Sequence, residues 1–73
     1  MPVTVLSSDL ALAALPEGRL VLHYTGESLP PAYYVCRRDD HGRELERMGP
    51  FPYEDEALTA ARERFGDLQW DAH

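Results

Sequence analysis

The stretch from Ala32 to Gly66 constrains the fold more than any other part of this chain. It reads as a strand (AYYVCRR), a tight turn (DDHG), a second strand (RELERM), a stop (GPFP) and a helix (YEDEALTAARERF). A hairpin that runs straight into an amphipathic helix can bury an apolar face between the two without further elements. The helix, Tyr53 to Phe65, carries Glu54, Asp55 and Glu56 in its first turn and Arg62 and Arg64 in its last, which matches the helix dipole at both ends. Pro52 precedes it and Gly66 follows at the C′ position. Leu58, Ala61 and Phe65 recur at helical spacing and form the apolar stripe, with Ala57 beside them.

The hairpin joins Ala32–Arg38 to Arg43–Met48 through Asp39–Gly42. The register expected from that connection sets Cys36 against Leu45 and Arg37 against Glu44, apolar groups on one face and opposite charges on the other. A slip by one pair would set Arg37 against Glu46 and satisfies charge equally well. Alternation sends Tyr33 and Tyr34 to opposite faces.

Upstream, Arg19 to Thr25 reads as a strand with Leu20, Leu22 and Tyr24 on one face and Val21 and His23 on the other. Gly26 to Pro31 reads as a loop. Pro2 to Leu6 alternates as a short strand would. Ser7 and Ser8 are helix-capping residues, so DLALAAL is expected to form a short N-terminal helix ended by Pro16, Glu17 and Gly18. Leu68, Gln69 and Trp70 read as a final short strand or an ordered tail. The expected fold is therefore a single α+β domain over residues 1–73: an antiparallel sheet of three to four strands, a C-terminal helix packed on one face and a short N-terminal helix.

With 73 residues the chain has room for one modest core. One cysteine excludes an intrachain disulfide, and no Cys/His spacing suggests zinc, which leaves self-association as a homodimer as the expected supplement to the core. A net charge of −6 opposes nucleic-acid binding and suits a cationic protein partner. No apolar run reaches membrane-spanning length and the start lacks a basic n-region, so the sequence predicts a cytoplasmic protein without membrane attachment. Lys, Ile and Asn are absent; their codons are A/T-rich, which points to a high-GC bacterium or its phage.

Chemistry-bearing residues are few. Cys36 lies mid-strand in an expected apolar setting, where a thiol is inert. Asp39, Asp40, His41 and Gly42 are the residues a hairpin turn selects, so they are read as a turn and not as metal ligands. Glu44 and Glu46 alternate with Arg43 and Arg47 as a solvated strand face does. No catalytic, cofactor-binding or metal site is assigned. Arg37, Arg38, Arg43 and Arg47 concentrate in one hairpin and could serve a nucleic-acid-reading β-ribbon, but Asp39, Asp40, Glu44 and Glu46 bring that hairpin to neutrality. Tyr33, Tyr34, Trp70, Arg38 and Arg43 are the expected interaction residues, since Tyr, Trp and Arg dominate interface hot spots.

From Tyr33 to Arg64 the text YYVCRRDDHGRELERMGPFPYEDEALTAARER resembles short bacterial hairpin-plus-helix domains of unknown function, with their GPF-like stop and EAL-type helix. It also resembles the arm-type DNA-binding domain at the N-terminus of phage integrases, a three-stranded sheet with a C-terminal helix. The resemblance implies an antiparallel sheet with the helix across one face. The integrase arms carry uncompensated basic residues on the strand where this chain has Glu44 and Glu46. The functional expectation is a small, acidic, non-catalytic protein-binding module or regulator, such as a phage or mobile-element inhibitor of a host system. The alternatives are a nucleic-acid-binding ribbon and a minimal enzyme using Cys36 or His41.

Overall fold

The computed structural model describes residues 7–26 and 30–72. Five strands and a helix follow one another as β1 (Ser7–Ala14), β2 (Arg19–Thr25), β3 (Ala32–Arg38), β4 (Glu44–Phe51), α1 (Glu54–Phe65) and β5 (Trp70–Ala72). The first four strands form a meander, and α1 carries the chain back so that β5 joins the far edge, giving the sheet order β4-β3-β2-β1-β5. Every pairing is antiparallel. The architecture is α+β, with α1 packed across β3 and β4.

The core lies between α1 and one face of the sheet. Leu20, Leu22, Val35, Ala13, Ala57 and Ala61 are buried there, and Phe51, Leu58, Phe65, Leu68 and Trp70 pack around them. The alternation of Leu20, Leu22 and Tyr24 is what selects this face, and Ala57 and Ala61 let the helix approach it closely. Tyr33 and Tyr24 meet on the same side with ring centroids 5.2 Å apart. Glu46 ties the helix to the sheet edge, accepting from Arg37 Nε at 3.1 Å and from Arg64 Nη2 at 2.7 Å.

Four expectations are corrected. DLALAAL is not an N-terminal helix: Asp9–Ala14 belong to β1, which pairs with β2 along its length and with β5 at Ala11–Ala13. Ala and Leu favour a helix locally, but hydrogen-bonding to two neighbours overrides that preference. Pro16, Glu17 and Gly18 accordingly form a hairpin turn closed by Leu15 N–H donating to Gly18 O at 3.2 Å. Gly18 has φ +80°, and a Cβ there would meet the Arg38 carbonyl oxygen at 2.1 Å. The sheet therefore has five strands where three to four were expected. The expected strand over Pro2–Leu6 lies outside the described residues.

The third correction concerns the β3–β4 register. Arg37 opposes Glu46, Cys36 opposes Arg47 and Arg38 opposes Glu44, with the ladder interrupted between Arg37 and Arg38. Leu45 is the extra residue of that bulge and is left 47% exposed instead of facing Cys36. The bulge lets both faces of the hairpin satisfy a charge pair, which a regular ladder in either register does for one face alone. The turn itself closes as its residues predict: Asp39 Oδ1 accepts from the N–H groups of His41 at 2.9 Å and Arg43 at 2.8 Å. Strand β4 also runs on through Gly49, Pro50 and Phe51, so the GPF segment is strand and the break falls at Pro52.

Candidate functional site

Strand alternation sends a second set of side chains to the face turned away from α1: Asp9 and Leu12 from β1, Val21 and His23 from β2, Tyr34, Cys36 and Arg38 from β3, and Glu44 and Arg47 from β4. No described element lies over this face, yet Val21 and Cys36 are 0% exposed. Long polar side chains close over them. Asp9 accepts from His23 Nδ1 at 2.8 Å and from Arg38 Nη1 at 3.1 Å. Arg47 lies over the Tyr34 ring, 4.9 Å from its centroid, while its Nη2 donates to Glu44 at 3.0 Å.

These contacts set the chemistry available. Burial, reinforced by a hydrogen bond to Glu44, pushes the Cys36 thiol up to about 11 against the opposing pull of Arg47 and Arg38. Such a thiol is protonated and inert. It is buried as expected, but beneath the open face and beside Arg47, not against Leu45. Burial alone would raise the Asp9 carboxyl; the hydrogen bonds from His23 and Arg38 outweigh it, so its pKa falls below the ordinary value. The Arg47 hydrogen bond likewise lowers Glu44, and Glu44 in turn raises Arg47. Asp9, Glu44 and Arg47 are thus each favoured in their charged form. Among the described residues no three His, Cys, Asp or Glu side chains assemble as a metal site would.

The expected interaction residues scatter. Tyr33 faces the core and Tyr34 the open face. Arg38 is committed to Asp9, Arg37 to Glu46 and Arg47 to Glu44. Arg43 is exposed at the turn. Trp70 sits on β5, on the helix side, where it lines a groove of about 400 Å³ with Leu58, Arg62, Asp67 and Leu68. Polar and apolar atoms are balanced there, and Asp55 and Asp67 offset Arg62.

A second concavity was not anticipated. Pro30, Pro31, Ala32, Tyr34, Pro50, Phe51 and Pro52 line an apolar hollow of about 330 Å³. It forms because a hairpin brings the residues just before its first strand beside those ending its second. Gly49 allows the approach: a Cβ there would stand 2.8 Å from Tyr34 Cδ1. The sequence signal was the two proline pairs flanking the hairpin, Pro30–Pro31 and Pro50/Pro52. Tyr53, next along the chain, is 67% exposed, and its side chain makes no capping hydrogen bond. The Asp9–Arg38 contact was also invisible in the sequence, because it bridges strands that are not neighbours in the sheet.

No family model, curated protein or solved structure matches this chain. Its class rests on its own geometry: a five-stranded antiparallel sheet, covered by a helix on one face and by paired charges on the other, with an apolar hollow at one end.

Proposed function

We propose that this protein is a small non-catalytic protein-binding module, a regulator of the kind a phage or mobile element directs against a host system. The observation that carries the reading is the distribution of apolar surface. The open face closes over its own buried residues with matched charges, and apart from Leu45 on the edge strand the accessible apolar and aromatic groups collect in the hollow at Tyr34 and at the exposed Tyr53 beside it. Aromatic side chains in a concave apolar setting are the usual anchors of protein interfaces. The net charge of −6 steers such a surface toward a cationic partner. The Cys36 thiol, held protonated under Arg47 and Glu44, supports a binding role over a thiol-dependent one.

The arginines of the hairpin support the same choice over a DNA-reading ribbon. Arg37, Arg38 and Arg47 each already hold a carboxylate, so a phosphate would have to displace it. The test is capture of a protein from the native host by wild type, lost on Tyr34→Ser or Tyr53→Ala and retained on Arg43→Ala. Capture of DNA instead, weakened by salt and by Arg43→Ala, would overturn it. Self-association is a second reading, favoured by Leu45, which stands exposed on the outer edge strand β4. Sedimentation across concentration tests it, with Leu45→Arg expected to abolish any dimer.

A further inference from the structure

We propose that the hollow at Tyr34 seats one bulky apolar side chain from an extended segment of a cationic protein, whose flanking basic residues pair with Glu54 and Glu56. This deepens the protein-binding reading and rests on it. The hollow's size and lining define what enters. At about 330 Å³ it lies at the low end of the range for ligand pockets, about 300–1,000 Å³, which suits a single large side chain better than a cofactor. Among the described residues its walls are four prolines, an alanine and the rings of Tyr34 and Phe51, which offer mainly apolar contact area.

The backbone at this end of the sheet decides how the partner is held. β4 is an edge strand, and an edge strand ordinarily recruits partners by adding another strand. Pro50 and Pro52 have no N–H, so this stretch is short of donors for such a ladder. Recognition here falls to side chains.

Charge then selects the partner. From Pro52 the chain passes through the exposed Tyr53 directly into Glu54, Asp55 and Glu56. Glu54 and Glu56 are exposed and make no ion pair with the described residues, while Asp55 lines the Trp70 groove with Arg62. On the other flank of Tyr34 the Arg47 guanidinium is already held by Glu44. The uncompensated charge beside the hollow is therefore negative, and a segment with Arg or Lys next to its apolar side chain complements it.

The test uses short synthetic peptides with a central Trp flanked by Arg, the same peptides with Glu for Arg, and the same with Ala for Trp, followed by amide shifts in NMR titrations at low salt. The Arg/Trp peptide is expected to shift Ala32, Tyr34, Phe51, Tyr53 and Glu54 together, and each altered peptide to bind about tenfold more weakly. Tyr53→Ala, which removes an exposed ring and no capping bond, is expected to weaken binding by a similar factor while leaving the spectrum folded. The pair Glu54→Gln and Glu56→Gln is expected to remove most of the salt dependence. Shifts centred on Thr59, Arg62 and Trp70, or equal binding of all three peptides, would overturn the proposal. A host protein whose capture depends on Trp70 and not on Tyr53 would leave the binding-module reading standing and remove the hollow as its site. If neither peptide nor host protein binds, both fail.

Discussion

On one side of the sheet, Leu20, Leu22 and Val35 are buried under the apolar stripe of α1; on the other, Val21 and Cys36 are just as fully buried with no helix of the described residues above them. The same strands supply both sets by simple alternation. The helix side achieves burial by apolar packing, with Ala57 and Ala61 set into the sheet. The open side achieves it with the stems and heads of Arg38, Arg47, His23 and Asp9, held in place by one another. Long polar side chains can cover apolar surface while their charged ends stay wet. The difference teaches that a small domain can shield one face of a sheet with a helix and the other with charged side chains that pair with one another.

The largest effect that could break this comparison lies on the helix side. Leu22→Ala is expected to cost about 2–5 kcal/mol. A domain of this size holds on the order of 4–10 kcal/mol, so the variant should be close to unfolding in urea or thermal melts followed by circular dichroism. Val21→Ala, beneath the polar roof, is expected to cost about 1.5–3 kcal/mol. Equal losses would mean that the roof packs as well as the helix does.

The roof itself is tested through Asp9. Asp9→Asn weakens the contacts to both His23 and Arg38 and is expected to cost about 1–3 kcal/mol at neutral pH. Folding lowers the Asp9 pKa, so the wild-type advantage is complete above the ordinary carboxyl value of 3.8 and is lost as the pH falls through the still lower folded value. The two proteins should therefore converge in acid denaturation. An advantage that grows on acidification would contradict the assignment.

Cys36 reports on how tightly the roof closes. Raising its pKa from the ordinary 9.0 to about 11 lowers the thiolate population about a hundredfold at neutral pH, before burial adds its own block. Labelling of the native protein should run far slower than labelling in urea, and Arg47→Ala should speed it. Rapid native labelling would show the roof to be open. The smallest effect is expected at Leu45, whose exposed bulge position predicts that Leu45→Ser shifts monomer stability by no more than about 0.5 kcal/mol.

The helix and the DDHG turn were readable because their determinants are local. Glu54, Asp55 and Glu56 against Arg62 and Arg64 answer the dipole of α1, and Asp39 binds the amides of its own turn. The faces of β2 and the split of Tyr33 from Tyr34 were readable because a strand alternates. The Leu45 bulge was hidden because both regular registers pair Arg37 with a glutamate. The hollow was hidden because its prolines act together once the hairpin has closed.

What the sequence by itself determined, then, is the set of short-range choices: where α1 begins and ends, where the Asp39–Gly42 turn falls, and which residues of β2 and β3 share a face. These follow from backbone preference and side-chain period, which act over a few residues. The tertiary structure decided that Asp9–Ala14 serves the sheet instead of a helix, that Asp9 meets Arg38 across β2, and that two proline pairs meet at Tyr34. Each depends on groups far apart in the chain. The energy of strand pairing and ion pairing there outweighs local propensities of a few tenths of a kcal/mol per residue, on the order given by host–guest scales.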